Sequence, residues 1–198
     1  MIHPKPKRLI VPSLAVGSAL INGYKRGFDR AFETSAEDFA WFERGDLLRS
    51  GCMLALHLED GEVTAGFYYD REANERTPSF TVHGLYSFAQ TRGAARDLIA
   101  AAILYEHDRS SQPVAVKATV RVRADGRVNP NASRFFGGLG FQPERLREQI
   151  LTVSPAYRHL IPTAYRDAHG RPYLRVLDKY LPGKAALPTA LGILGATV

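Results

Sequence analysis

With 198 residues, 45% of them hydrophobic and 23% charged, the chain has the size and composition of one globular unit with a sizeable core. Its formal charge of +6 favours anionic ligands, whether a phosphorylated cofactor, nucleic acid or an acidic partner. The single cysteine, Cys52, excludes an internal disulfide and a cysteine-rich metal site. The six histidines are scattered without an HxxxH or HExxH pair, so no metal is expected.

Lys5, Lys7 and Arg8 precede the apolar run Leu9–Ile21, the order found in a secretory signal, but Pro12 and Gly17 interrupt that run. It reads instead as a first strand followed by a buried segment. A lone cysteine fits a reducing compartment, and a cytoplasmic location is expected. No apolar run reaches the ~20 residues of a membrane span. Ser35 and Asp38 form a weak capping box ahead of Phe39, Phe42, Leu47 and Leu48, which predicts a helix ended by Gly51. Cys52–Leu58 and Val63–Tyr69 have strand character and flank Asp60-Gly61, a pair suited to a tight hairpin. Residues 70–78 are polar and read as a loop. Phe80–Phe88 follows as a third strand, with Phe80, Val82, Tyr86 and Phe88 expected on one face and His83 and Leu85 on the other.

The period then changes. Ala95, Leu98, Ile99, Ala102 and Ile103 make one apolar helical stripe. After Pro113, Val114, Val116, Ala118, Val120 and Val122 alternate with Lys117, Thr119, Arg121 and Arg123, as on a strand with one dry and one charged face. A second helix is predicted over 131–138 and a strand over 150–153. The apolar tail 185–198 carries Pro188 and reads as a docking segment. Hairpin, strand, helix, strand, helix, strand describes an α+β fold with a mixed sheet.

The junction between the third strand and its helix carries the chemistry. A loop containing Gly93 leads into small residues, Ala94 and Ala95, at a helix start, where unpaired N–H groups and the helix dipole attract anions. Arg92 and Arg96 add positive charge. Gln90-Thr91-Arg92-Gly93-Ala94-Ala95 resembles the phosphate loop of the GCN5-related N-acetyltransferases. Asn129-Pro130-Asn131-Ala132, followed by Phe135-Phe136 and Leu139-Gly140-Phe141, resembles the C-terminal signature of the same family. The two motifs stand in the family's order, and together with the strand before them they cover residues 80–141.

That resemblance implies a largely antiparallel central sheet flanked by helices, with two central strands splayed around a pantetheine arm. It implies a domain over 1–154, with 155–198 as an extension packed on the same domain. The backbone of Arg92, Gly93, Ala94, Ala95 and Arg96 would hold the pyrophosphate of acetyl-CoA or another acyl-CoA. Gln90 belongs to the same loop, and Phe88, Phe135, Phe136 and Asn129 or Asn131 would line the pantetheine side. The implied reaction is direct attack of an acceptor amine on the thioester, with a proton accepted from the amine. Many family members assign protonation of the thiolate to a tyrosine second in the aromatic pair; here that position is Phe136. Tyr157 and Ser133 are the candidate substitutes. His83 is the candidate base, set against a packing role, and Glu37, Asp38 and Glu43 are carboxylates able to attract an ammonium. Arg121, Arg123 and Arg127 could meet the 3′-phosphate, against the plainer reading of a charged strand face.

An N-acyltransferase is therefore expected. A non-catalytic acyl-CoA sensor is the alternative that Phe136 motivates. A nucleic-acid-associated protein is the alternative motivated by the charge, without a helix-turn-helix, zinc-finger or aromatic RNA-binding motif to support it. The apolar segments 9–21 and 185–198 suggest a homodimer or lipid contact.

Overall fold

The computed structural model describes residues 7–31, 51–72, 77–88, 93–122, 126–150, 163, 166–171 and 173–195. The helix expected between Ser35 and Gly51, with Glu37, Asp38 and Glu43, lies outside them, as do Tyr157 and, apart from Ile150, the strand expected over 150–153.

Among the described residues, seven strands form one sheet in the order β1-β2-β3-β4-β5-β7-β6. They are β1 (Lys7–Pro12), β2 (Cys52–Glu59), β3 (Glu62–Glu72), β4 (Ser79–Ser87), β5 (Ala115–Arg121), β6 (Gln142–Ile150) and β7 (Tyr173–Leu181). Every neighbouring pair is antiparallel except β4 and β5, which run parallel. The helices are α1 (Ser18–Ala31), α2 (Ala94–His107), α3 (Pro130–Gly138) and α4 (Gly183–Leu194). This is the α+β architecture expected, and no described helix is long and apolar enough to cross a membrane.

The β2–β3 hairpin forms where Asp60-Gly61 predicts it. Glu59 pairs with Glu62, and both loop residues have positive φ (50° and 84°), as a type I′ turn demands. Residues 70–72 extend β3 instead of opening the loop, because Asp70, Arg71 and Glu72 pair with Thr81, Phe80 and Ser79.

The apolar stripe of α2 is buried as its period requires, with Leu98, Ile99 and Ile103 almost fully excluded from solvent. It packs with Phe67, Tyr69, Phe80, Val116 and Val120 on one face of the sheet. α4 lies on α2 and buries Ala186 and Ala190 there, so the apolar tail docks within its own chain. Residues beyond the boundary expected at 154 thus supply both a strand inside the sheet and a helix of this core.

The opposite face is covered at its β2–β4 end by α1. The run to Ile21 is a strand, a 3₁₀ turn (Ser13–Ala15) and the start of this helix, whose Ile21, Tyr24 and Phe28 are buried. Gly23 and Gly27 each cost about 1 kcal/mol in helix propensity, but the approach to the sheet needs them. A Cβ on Gly23 would lie 3.0 Å from Val63, and one on Gly27 would lie 2.2 Å from the Tyr86 hydroxyl.

The two faces exchange along β4. Phe80 and Val82 belong to the α2 core, whereas Tyr86 packs with Tyr24 and Phe28, so the single-face alternation expected over 80–88 does not hold. The reason is a bulge. Between the pairs Gly66–Tyr86 and Tyr68–His83, β3 has one residue and β4 has two. Gly84 absorbs the extra residue at φ 55°, where its carbonyl accepts from Tyr24 Oη at 2.8 Å.

An ionic cluster around the buried Glu106 ties α2 to β3. The Glu106 carboxylate accepts from Tyr69 Oη (2.6 Å) and from Arg71 Nε and Nη2 (2.7 and 3.0 Å). Burial, then the Glu106 bond, pushes the Tyr69 phenol far above its ordinary value, so it stays a donor. Glu106→Ala leaves that hydroxyl buried without a partner and should lower stability by about 2–3 kcal/mol in urea titration; Tyr69→Phe in the same background should restore part of the loss.

His57 on β2 is also buried, with Nδ1 3.0 Å from Thr64 Oγ1. Burial holds it below its ordinary 6.5 and therefore neutral in the folded chain. The unfolded chain binds that proton first, so this contribution is complete above about pH 6.5 and is lost as pH falls below it. Melting temperatures between about pH 7.5 and 5 should fall more steeply for the wild type than for His57→Gln.

Candidate active site

The parallel ladder between β4 and β5 is short. It pairs Ser79–Val82 with Ala115–Ala118 and then stops, although β4 continues to Ser87 and β5 to Arg121. β3 stays bonded to β4, and β7 to β5, on their outer sides. The two central strands therefore splay from an apex at Val82 and Ala118, leaving a cleft along about 16 Å of β4 at ~3.3 Å per residue.

The N-terminus of α2 stands beyond the open end of this cleft. Gly93 is its N-cap at φ 92°, with no side chain capping the helix. The Asp97 N–H makes the first helical bond to the Gly93 carbonyl (2.9 Å), so the N–H groups of Ala94, Ala95 and Arg96 precede any helical acceptor. Among the described residues, nothing lies within 4 Å of the position of a Gly93 Cβ. Ala94 and Ala95 are buried and Arg96 is exposed. The negative charge in this turn, Asp97, is paired with Arg8 at 3.0 Å. Backbone donors, a dipole and a neutralised carboxylate leave a turn suited to an anion. Gln90 and Arg92 lie outside the described residues.

Phe88 follows the end of β4. Its N–H donates to the Thr64 carbonyl (3.2 Å), its ring lies 5.6 Å from that of Tyr86, and the Arg30 guanidinium sits 5.0 Å above it. The Tyr86 hydroxyl is the buried side-chain polar atom that lacks a hydrogen-bond partner among the described residues, and burial pushes its phenol upward.

Asn129 is the N-cap of α3. Its Oδ1 accepts from the N–H groups of Asn131 (3.1 Å) and Ala132 (3.3 Å), which commits the oxygen to the helix and leaves the amide NH₂ to donate elsewhere. The Asn131 side chain is exposed. Phe136 is buried, 5.2 Å from Phe135 and 5.1 Å from Phe141 in edge-on contacts, within the core cluster that also holds Val82 and Ala118. Phe135 is half-buried against that cluster and Ser133 is half-buried on the same helix. Arg127 is exposed, and Arg123 lies outside the described residues.

His83 is the first residue of β4 after the apex. It points to the face away from α2, stacks on Tyr68 at 5.1 Å, and has Nε2 3.4 Å from Asp70 Oδ2. A polar pocket of about 190 Å³ is lined by Thr81, two residues before it, and by residues of β3, β5, β6 and β7. Glu72 accepts from Lys117 Nζ (2.7 Å) and from Thr81 Oγ1 (2.5 Å). Asp178 accepts from Arg147 Nε (2.5 Å) and from Thr119 Oγ1 (3.4 Å), and Glu144 completes the wall. Lys117 and Thr119 come from the charged side of β5 that alternation had marked. Glu72, Arg147 and Asp178 are not marked by the sequence pattern: Glu72 falls in the polar stretch 70–78 that reads as a loop, and Arg147 and Asp178 lie on β6 and β7, which no clean alternation announces.

The fold has solved counterparts at very low sequence identity. A probable acetyltransferase from Staphylococcus epidermidis superposes with a TM-score of 0.61 at 12% identity, over 89% of this chain and 98% of that one. FeeM, an N-acyl amino acid synthase from uncultured soil microbes, gives 0.58 at 10% identity over 98% and 100%. The ribosomal-protein-S18-alanine N-acetyltransferase of Escherichia coli gives 0.53 at 15% identity over 89% and 94%. No protein-family pattern matches the chain, and no curated protein matches it in sequence.

The geometry separates two roles for Asn129. Asn129→Ala should cost about 1 kcal/mol through loss of the cap, while Asn129→Asp keeps the cap oxygen and should retain stability. Thermal denaturation of the two variants reads the difference.

Proposed function

We propose that this chain, which has the GCN5-related N-acetyltransferase fold, is an acyl-CoA-dependent N-acyltransferase acting on a small amine. The observation that carries the reading is the cleft between β4 and β5 with the first turn of α2 at its open end. Diverging strands present unpaired backbone donors and acceptors to the cleft, and an amide-bearing arm can satisfy them. The first turn of α2 would receive the pyrophosphate of such a ligand, with Gly93, Ala94, Ala95 and Arg96 as its holders. The acyl group would then rest near the apex, beside His83. The structural counterparts are named as acetyltransferases and, for FeeM, as an N-acyl amino acid synthase; acyl transfer is what those names share.

At the apex, the acceptor nitrogen attacks the thioester carbonyl, the C–S bond breaks, and the thiol leaves. His83 is suited to receive the amine proton, since it is the first residue of β4 past the apex and its Nε2 lies 3.4 Å from Asp70 Oδ2. Phe136 has no proton to give. A thiol of ordinary pKa, about 8.5, departs readily as thiolate, so the reaction runs without that acid and more slowly. A protein that binds acyl-CoA without turnover is the second reading, and the buried Phe136 is its motive. A cytoplasmic location and the absence of nucleic-acid binding are part of the proposal. A homodimer has weaker support, because α4 already docks on α2 within the chain.

Calorimetric titration with acetyl-CoA at moderate salt should show saturable binding near one equivalent. Gly93→Glu places bulk and charge at the turn and should abolish it. Gly93→Ala carries only the strain of positive φ, about 1–2 kcal/mol of stability, and should still bind. Wild-type affinity in a folded Gly93→Glu protein would remove the phosphate site from this turn.

A further inference from the structure

The polar pocket beside the apex has a charge pattern that selects its occupant. Three carboxylates (Glu72, Glu144, Asp178) and two cations (Lys117, Arg147) line it, for a net charge of −1 by 2 − 3. Carboxylates and cations alternate across β3, β5, β7 and β6 as two ion pairs, Lys117–Glu72 and Arg147–Asp178. A polyamine calls for carboxylates without cations, and an anionic acceptor calls for the reverse. A molecule with an ammonium and a carboxylate a few ångströms apart matches both signs at once. The volume, about 190 Å³, lies below the roughly 300–1,000 Å³ of sites for drug-sized ligands. It suits a single small molecule and not a peptide or nucleic acid.

Position ties this pocket to the chemistry. Thr81, Lys117, Ala118 and Thr119 line it, and Val82 and Ala118 are the last residues paired before β4 and β5 separate. His83 lies on the same face two residues along from Thr81, roughly 7 Å away at strand spacing. An amine seated here is near the end of the cleft and near a proton acceptor.

We infer that the acceptor is a free α-amino acid, or a compound with the same adjoining amine and carboxylate. Lys117 and Arg147 would hold its carboxylate, with Glu72 and Asp178 facing its nitrogen. The inference rests on the acyltransferase reading above. The bound ammonium first releases a proton to solvent, and the resulting neutral amine forms an N–C bond to the acyl carbon as the C–S bond breaks. Its departing proton passes to His83, and the thiolate takes a proton from solvent, giving an N-acyl amino acid and free CoA.

The test uses the full chain, acetyl-CoA and a panel of free L-amino acids set against their C-terminal amides, with release of CoA thiol as readout. At least one free amino acid should be turned over, with kcat/KM about tenfold or more above its amide. Arg147→Gln on β6 should raise KM for that amino acid by a similar factor, shrink the preference for acid over amide, and leave acetyl-CoA affinity unchanged. Lys117→Gln should do the same. The inference is overturned if a protein that binds acetyl-CoA acylates the amides as well as the acids. It is equally overturned if such a protein acylates no amino acid, or if folded variants keep the wild-type KM and preference. Failure to bind acetyl-CoA in the parallel titration would instead refute the acyltransferase reading, and this inference with it.

Discussion

Four pairs of residues join β4 to β5, and the rest of the molecule is arranged around the point where that ladder stops. A parallel pair bonded along its whole length would close the sheet and leave no cleft. Each strand is held from outside instead, β4 by β3 and β5 by β7, so the inner edges can part without either strand losing its place. The bulge at Gly84 lies within the separated stretch. There it turns β4 over, so that residues above the apex present different side chains to the two faces.

The faces differ in what they can do. Beneath α2 and α4 the sheet is mostly apolar, with the Arg71–Glu106 pair at one end, and this fixes the helix whose first turn meets the cleft. The other face is divided. α1 covers its β2–β4 end with aromatic side chains, and the rest carries the ion pairs of the pocket. His83 and Asp70 stand at the boundary between these regions. A nucleophile approaching from the polar side and an acyl group lying in the cleft would therefore meet at an edge between a dry wall and a wet one.

Much of this was legible in the residues. Asp60-Gly61 specifies its hairpin through backbone conformation alone, and the stripe on α2 and the alternation on β5 follow from burying one side of each element. Asn129 announces a helix start because its side chain can accept from the first free N–H groups. The misreadings have equally physical causes. Gly23 and Gly27 weaken the helical signal of α1, and their purpose lies in contacts with Val63 and Tyr86, far away in sequence. The bulge in β4 inverts a period that looked regular. β7 is flanked by strands on both sides and mixes buried Val176, Lys179 and Leu181 with the polar Asp178, so no clean alternation marks it. The pocket draws on five strands, and no local window of sequence contains it.

The placement of β7 also has a temporal meaning. β6 pairs with β7 and, among the described residues, with no other strand, while β5 has its outer edge covered by the same β7. A ribosome releasing this chain from the N-terminus delivers β5 and β6 before the segment that must lie between them. Until residue 181 emerges, both strands present open edges, and such edges invite pairing with other chains. The chain is thus exposed to aggregation in the interval between β6 and β7, and β7 is the strand that joins the two waiting edges.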